Sequence, residues 1–228
     1  MIEESLHNIQ QRMADAMASV GRTDTALLVA VTKNHPVSAV EEVARLECTH
    51  VGENRVQEAK EKQMLYKGPK LVWHLIGHLQ VNKVRQAVPM FDLIHSVDSK
   101  KLLDEIEKVA AKHDKVQDIL LQVNVAREAS KSGMSVEEFP EVRDYAKTLP
   151  HVRVRGLMCM APFFENPEEA RPIFRVAYVL YEDMKGYFPE GDIQYLSMGM
   201  THDFEVALQE GANIVRVGTA IFGERVYN

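Results

Sequence analysis

Short apolar runs recur along the chain, and each is separated from the next by a polar and apolar mixture of helix length. Compact runs of this kind, rich in branched aliphatic residues, are typical of buried β-strands. They predict eight strands, at residues 27–32, 50–52, 71–76, 93–97, 119–125, 152–160, 193–198 and 213–217.

The spacers have the periodicity of amphipathic helices. Ser135 is followed three residues later by Glu138, the spacing of a capping box, and Pro167 opens an acidic first turn. Helices are predicted at residues 37–46, 55–66, 82–88, 99–113, 135–148, 167–187 and 202–210, with an extra helix at 2–20 before the first strand.

The unbroken alternation of strand and helix implies parallel strands with right-handed crossovers. Eight such units predict an α/β fold of the (β/α)8 TIM barrel type, as a single domain over residues 1–228 with the extra N-terminal helix. A doubly wound open sheet is the alternative, because the predicted second strand, 50–52, is very short.

Composition narrows the class of protein. The net charge is -6, from 33 acidic and 27 basic residues. A protein that binds nucleic acid or an anionic membrane needs an excess of positive charge, so this balance argues against both classes of binder. We find no leader-like N-terminus and no apolar run of membrane-spanning length, so we expect a cytoplasmic protein. Cys48 and Cys159 lie far apart and are predicted to be free thiols.

Lys33 follows the first predicted strand directly, at the strand end where α/β proteins place their chemistry. Apolar surroundings disfavour the ammonium form, lower the pKa of the lysine and allow the amine to form an imine with an aldehyde. The alternative is a lysine that simply reaches into water.

The loops after the seventh and eighth strands combine glycine with hydroxyl groups. Glycine allows close approach of the backbone to an anion, and hydroxyl and N–H groups donate to it. In a barrel these two loops are neighbours at the usual phosphate position. We call residues 197–201 and 218–219 the anion loops; their candidate ligands are Ser197, Gly199, Met200, Thr201, Gly218 and Thr219.

Arg216 lies between Val215 and Val217 and must face the opposite side of its strand. It either forms a buried ion pair with a carboxylate such as Glu53 or donates to a ligand.

His74 and His78 do not share a helical face, so we expect no metal site. Further polar segments predicted at the barrel mouth are 52–55, 77–83 and 130–133.

Segments spread over nearly the whole chain resemble the YggS/PROSC family of pyridoxal 5'-phosphate homeostasis proteins, which is similar in fold to the N-terminal barrel of alanine racemase. The segments are 29–33, 52–58, 73–80, 82–83, 130–133, 155–158, 196–200 and 215–223. After Met200 the family more often has Ser and an acidic pair, where this chain has Thr201, His202 and Asp203.

The resemblance implies a Schiff base between Lys33 and pyridoxal phosphate, with Ser197, Gly218 and Thr219 around the phosphate. It also implies that Asn54 lies near the ring and that Arg216 faces the pyridine nitrogen. A guanidinium there disfavours protonation of that nitrogen, so the ring is a poor electron sink and carbanion chemistry should be weak.

Three functions follow as alternatives. The first is a cofactor-binding protein of vitamin B6 homeostasis, a monomer whose partners are pyridoxal phosphate and apo-enzymes that use it. The second is an amino-acid racemase, which needs a second acid/base; alanine racemase takes that group from an extra β domain that this sequence does not reach, leaving Lys131 or a tyrosine to replace it. The third is an imine-forming aldolase without cofactor, which would be colourless. We expect the first.

Overall fold

The computed structural model describes residues 1–129 and 132–224. Eight parallel strands close into a barrel in sequence order, and the eighth pairs with the first. This closure confirms the (β/α)8 prediction and excludes the open sheet. The strands are β1 (Leu27–Val31), β2 (His50–Glu53), β3 (Val72–Leu75), β4 (Leu93–Val97), β5 (Gln117–Val123), β6 (Val152–Cys159), β7 (Tyr195–Ser197) and β8 (Ile214–Val217).

Helices surround the barrel. They are α1 (Ile2–Ser19), α2 (Val37–Arg45), α3 (Val56–Leu65), α4 (Val84–Ala87), α5 (Lys100–Lys112), α6 (Phe139–Ala146), α7 (Arg171–Met184), α8 (Phe204–Gln209) and α9 (Thr219–Phe222), with 3-10 turns at Val81–Lys83 and Pro167–Ala170. The predicted N-terminal helix is α1, which buries Leu6, Ile9 and Met13 and packs against α8 and α9.

Helix α6 begins later than its capping signal predicts. Ser135 and Glu138 do form the expected contact, with the Glu138 N–H donating to Ser135 Oγ at 3.1 Å. Regular helix nevertheless starts at Phe139 rather than at residue 135. Pro140 is the reason, because it has no N–H to donate to the carbonyl of residue 136.

The barrel interior has its own small apolar cluster, distinct from the large core between strands and helices. Because strand side chains alternate, every second residue of each strand points inward. The cluster consists of Val29, Leu93, Leu120, Met158 and Ile214. Ile214 and Arg216 share the inward face of β8, while Val215 and Val217 belong to the outer core, as the alternation predicts.

The two cysteines and the helix lengths can be compared with the sequence predictions. Cys48 and Cys159 are buried free thiols, as predicted, and burial raises the pKa of Cys159 to about 12. Over residues 1–129 and 132–224, every helix is too short or too polar to cross a bilayer.

Candidate functional site

A cavity of about 270 Å³ opens at the end of the barrel where the strands finish. Its volume is suited to a small ligand. Most of the predicted site residues line it: Lys33, Asn54, Met200, Thr201, Arg216, Gly218 and Thr219. The fold therefore brings together groups that are almost two hundred positions apart in sequence, whereas Ser197 and Gly199 lie behind the wall.

Lys33 is half-buried on a loop that is fixed at both sides. The Thr32 N–H donates to the Gly52 carbonyl at 3.0 Å, and the next residue, Asn34, has φ 62° and donates its N–H to Glu58 Oε1. The His35 ring then packs on the Phe222 ring of α9 at 4.7 Å. Lys33 therefore lies on a turn that is fixed by hydrogen bonds on both sides, next to the anion loop at residues 218–219.

A buried ionic cluster below this turn was missed by the sequence analysis. Lys62 of α3 donates to Glu53 Oε1 at 2.6 Å and to Glu58 Oε1 at 2.8 Å. It also donates to the carbonyl of Thr32 at 2.6 Å. Burial raises the pKa of Glu53, and the Lys62 ammonium opposes that rise. The spacing of Glu58 and Lys62, four apart on one helix, was the available signal.

The anion loops approach each other closely at the mouth. The Ala220 N–H at the start of α9 contacts Thr201 Oγ1 at 3.4 Å, and Gly218 caps that helix. A Cβ at Gly218 would stand 3.2 Å from the Val31 carbonyl oxygen, so a side chain there would crowd the end of β1. The Ile221 N–H donates to the Gly218 carbonyl at 2.9 Å, so the Thr219 N–H is the donor that the first turn of α9 leaves at the cavity wall.

Asp203 lies on the same wall, so an anion bound here has a carboxyl group as neighbour. Its Oδ1 accepts from the Met200 N–H at 2.8 Å, which folds the first anion loop back on itself. Burial raises the pKa of Asp203, while that hydrogen bond and the Arg216 charge lower it. The loop is therefore organised by its own side chains.

Arg216 is only 2% exposed, yet it borders the cavity. Its Nη1 donates to Ser197 Oγ at 2.5 Å and its Nη2 to the Cys159 carbonyl at 3.2 Å. Burial lowers its pKa to about 10, so it stays a cation at neutral pH. The alternative of an ion pair with Glu53 is wrong, because Glu53 faces outward to Lys62 on α3.

Ser197 lies deeper than the resemblance implies. It is fully buried at the end of β7, and the alternation along that strand turns its hydroxyl into the barrel interior rather than toward the cavity. There it contacts Arg216 and His95. Ser197 therefore does not line the cavity in this structure, and its hydroxyl instead accepts a hydrogen bond from Arg216.

Other expected and unexpected groups surround the mouth. Phe163, which the sequence analysis did not select, is 74% exposed and stacks on His202 at 4.6 Å.

His78 is exposed and contacts Ser132, away from His74 inside the barrel. Ser130 and Lys131, expected at this opening, lie outside the described residues. In the part of the chain that is described, no three His, Cys, Asp or Glu residues are grouped to bind a metal.

Sequence comparisons agree with the geometry. A family model described as the N-terminal domain of alanine racemase matches residues 5–226. The pyridoxal phosphate homeostasis protein of Aquifex aeolicus is 43% identical over 225 residues, covering 98% of each chain. The protein of the same name from Haemophilus influenzae is 37% identical over 230 residues, covering 100% of this chain and 97% of that one.

The chain belongs to the pyridoxal phosphate homeostasis protein family. Solved structures that it resembles include PipY of Synechococcus elongatus without pyridoxal phosphate, with a TM-score of 0.88, 35% identity, and coverage of 98% of this chain and 100% of that one. PipY with pyridoxal phosphate bound gives a TM-score of 0.82, 36% identity and the same coverage. The resemblance drawn from sequence motifs is thus confirmed.

Proposed function

We propose that this protein holds pyridoxal 5'-phosphate as a Schiff base on Lys33 and takes part in the homeostasis of that cofactor inside the cell. The observation that carries the proposal is the shared cavity: an amine, a buried guanidinium and two glycine-containing loops meet around one small volume. The PipY structure with the cofactor bound supports the same assignment.

The residues present fit the cofactor. Lys33 supplies the amine for its aldehyde, and the N–H and hydroxyl groups at Gly218, Thr219 and Thr201 suit its phosphate. Arg216 is a buried cation whose two described hydrogen bonds go to neutral oxygens, on Ser197 and Cys159. It therefore has charge available for an acceptor in the cavity, such as a pyridine nitrogen. Asn54 lines the same cavity as Lys33 and Arg216 and suits the ring.

Weak catalysis follows from the same geometry. A guanidinium donates a hydrogen bond without giving up its proton, so it keeps a pyridine nitrogen unprotonated. When bound, the cofactor supplies an electron sink, and this contact makes that sink a poor one. We therefore propose a binding protein without strong turnover rather than a racemase.

The proposal extends to partners and place. A carrier that binds through a reversible imine can release its cofactor to apo-enzymes that use pyridoxal phosphate, and we propose such enzymes as partners. We propose that the protein acts as a cytoplasmic monomer; sedimentation equilibrium should give about one chain mass, and cell fractionation should recover it with the cytosol.

The discriminating experiment pairs two assays on one preparation. Loaded protein is mixed with a pyridoxal phosphate-dependent apo-enzyme, and regain of that enzyme's activity is followed. In parallel, exchange of amino-acid α-protons with deuterated water is measured. We expect transfer without appreciable exchange. Rapid exchange that is lost in Lys33→Ala would instead identify an enzyme, and a protein that gains no visible absorbance with pyridoxal phosphate would overturn the proposal altogether.

A further inference from the structure

Three histidines on adjacent strands form a row through the inside of the barrel. His50 Nδ1 lies 2.9 Å from His74 Nε2, and His74 Nδ1 lies 2.8 Å from His95 Nε2. His95 Nδ1 then lies 2.9 Å from Ser197 Oγ, which accepts from Arg216 Nη1. A continuous chain of hydrogen bonds therefore connects the start of β2 with the cofactor cavity.

The strand register explains why these rings meet. Gly52 is the register partner of His74, so His50 stands two residues lower in the barrel. Leu93 is the partner of His74, so His95 stands two residues higher on the next strand. Each histidine occupies an inward position one step above the previous one, and the row climbs from the floor of the barrel toward its mouth.

The two inner histidines are neutral. His74 is 2% exposed and His95 is fully buried. Burial lowers the pKa of His74 to about 3, and burial together with the charge of Arg216 lowers that of His95 well below its usual value. A neutral imidazole has one N–H donor and one acceptor nitrogen, so each ring passes on a hydrogen bond in one direction only.

Arg216 fixes that direction because a guanidinium can only donate. Ser197 Oγ accepts from it and directs its own hydrogen to His95 Nδ1. His95 then donates from Nε2 to His74 Nδ1, and His74 donates from Nε2 to His50 Nδ1. The opposite direction would leave the buried Ser197 hydroxyl hydrogen without an acceptor among the described residues, which is unfavourable.

The row ends at His50, which is half-buried and borders a second cavity between α1 and the starts of β1 and β2. Titratable and charged groups near its ring or lining that cavity are His74, Asp92, Cys48, Arg22, Asp24 and Glu47. Protonated at Nδ1, His50 could no longer accept from His74, and two N–H groups would face each other.

We infer that His50, His74, His95 and Ser197 act as one polarised relay that positions Arg216 and makes the cofactor cavity responsive to the hydrogen-bonding state of His50 at the opposite end of the barrel. The four are positioning residues, since none of them lines the cavity that Arg216 borders. The inference rests on the proposed function in one respect: Arg216 is taken as the contact with the cofactor.

The relay itself is tested on the cofactor-free protein. Nitrogen-15 spectra of labelled histidines report which ring nitrogen carries the proton. We expect His74 and His95 to be neutral with the proton on Nε2. His50→Phe removes the last acceptor and should shift the ring signals of His95, which His50 does not touch. His50→Asn offers an oxygen near the place of Nδ1 and should restore them, and the exposed His113→Asn is the control.

The link to the cavity is tested on loaded protein by the rate at which pyridoxal phosphate leaves, followed by its visible absorbance. His95→Leu should accelerate release by about tenfold, the factor for one hydrogen bond of ~1.4 kcal/mol. His50→Phe should accelerate it by a smaller factor that His50→Asn reverses. A protein that binds no cofactor refutes the proposed function but leaves the spectra interpretable; Nδ1-protonated rings, or His95 signals unmoved in His50→Phe, refute the relay.

Discussion

The ammonium of Lys62 donates to the carbonyl of Thr32 at 2.6 Å, so helix α3 directly holds the backbone between strand β1 and Lys33. Lys62 is only 6% exposed and also bonds two carboxylates. The position of Lys33 therefore depends on a side chain that never reaches the cavity wall.

Replacing Lys62 by methionine should destabilise the protein. The change leaves Glu53 buried without its cation, and loss of one partner of a buried pair costs about 3–5 kcal/mol. Urea unfolding measures the free energy, and pyridoxal phosphate affinity should fall as the strand end loosens. Lys60→Met, on the exposed face of the same helix, is the matched control. Equal unfolding free energies for the two variants would contradict the assigned role.

Acidification should weaken the fold through the buried histidines. In the unfolded chain His74 titrates at its ordinary value near 6.5, whereas in the fold its pKa is about 3. The unfolded state therefore binds more protons between these values, so the stabilisation is complete above about pH 6.5 and is lost as pH falls, by up to ~1.4 kcal/mol per pH unit.

Urea unfolding of wild type and His74→Gln over that pH interval measures this slope. We expect a shallower slope in the variant, and an unchanged slope in the exposed His113→Gln. A wild-type stability that is flat from about pH 6.5 down to pH 4 would show that His74 is not held neutral by the fold.

Arg216→Gln should weaken cofactor binding by tenfold or more, the loss of a charge-assisted hydrogen bond of about 1.5–3 kcal/mol. Titration of the apo-protein with pyridoxal phosphate measures the affinity. Arg175→Gln, exposed on α7, should bind like the wild type. If the two variants bind equally well, Arg216 does not contact the ligand.

Gly199→Ala should disturb the first anion loop. Gly199 has φ 100°, and a Cβ there would lie 2.7 Å from that of Ala207, so both backbone strain and a clash are introduced. We expect a loss of roughly 1–3 kcal/mol in unfolding free energy and weaker phosphate binding. Gly191→Ala separates the two effects, because Gly191 has φ 85° but open space around it. A larger loss in Gly191→Ala than in Gly199→Ala would contradict the crowding argument.

Periodicity was enough to predict the barrel, since eight apolar runs separated by helical spacers leave few other folds. It also placed Arg216 inside, because its neighbours in the strand are valines. It could not give the depth of Ser197 or the partner of Glu53, which depend on which side of each strand end faces the cavity. The start of α6 at Phe139 was readable from Pro140, but the capping signal upstream was stronger.

The histidine relay was beyond sequence reasoning for a different reason. His50, His74 and His95 are separated by more than twenty residues each, and their contact depends on a two-residue offset between neighbouring strands. No local pattern encodes that register. Lys62, in contrast, could have been selected by its spacing from Glu58.

The central claim is that Lys33 carries the cofactor, and borohydride reduction followed by peptide mapping tests it most directly. Reduction fixes a Schiff base as a stable secondary amine. We predict a single pyridoxyl phosphate adduct, on the peptide that contains Lys33, absent in Lys33→Ala and retained in the exposed Lys70→Ala. An adduct on another lysine, or tight binding without any adduct, would contradict the account.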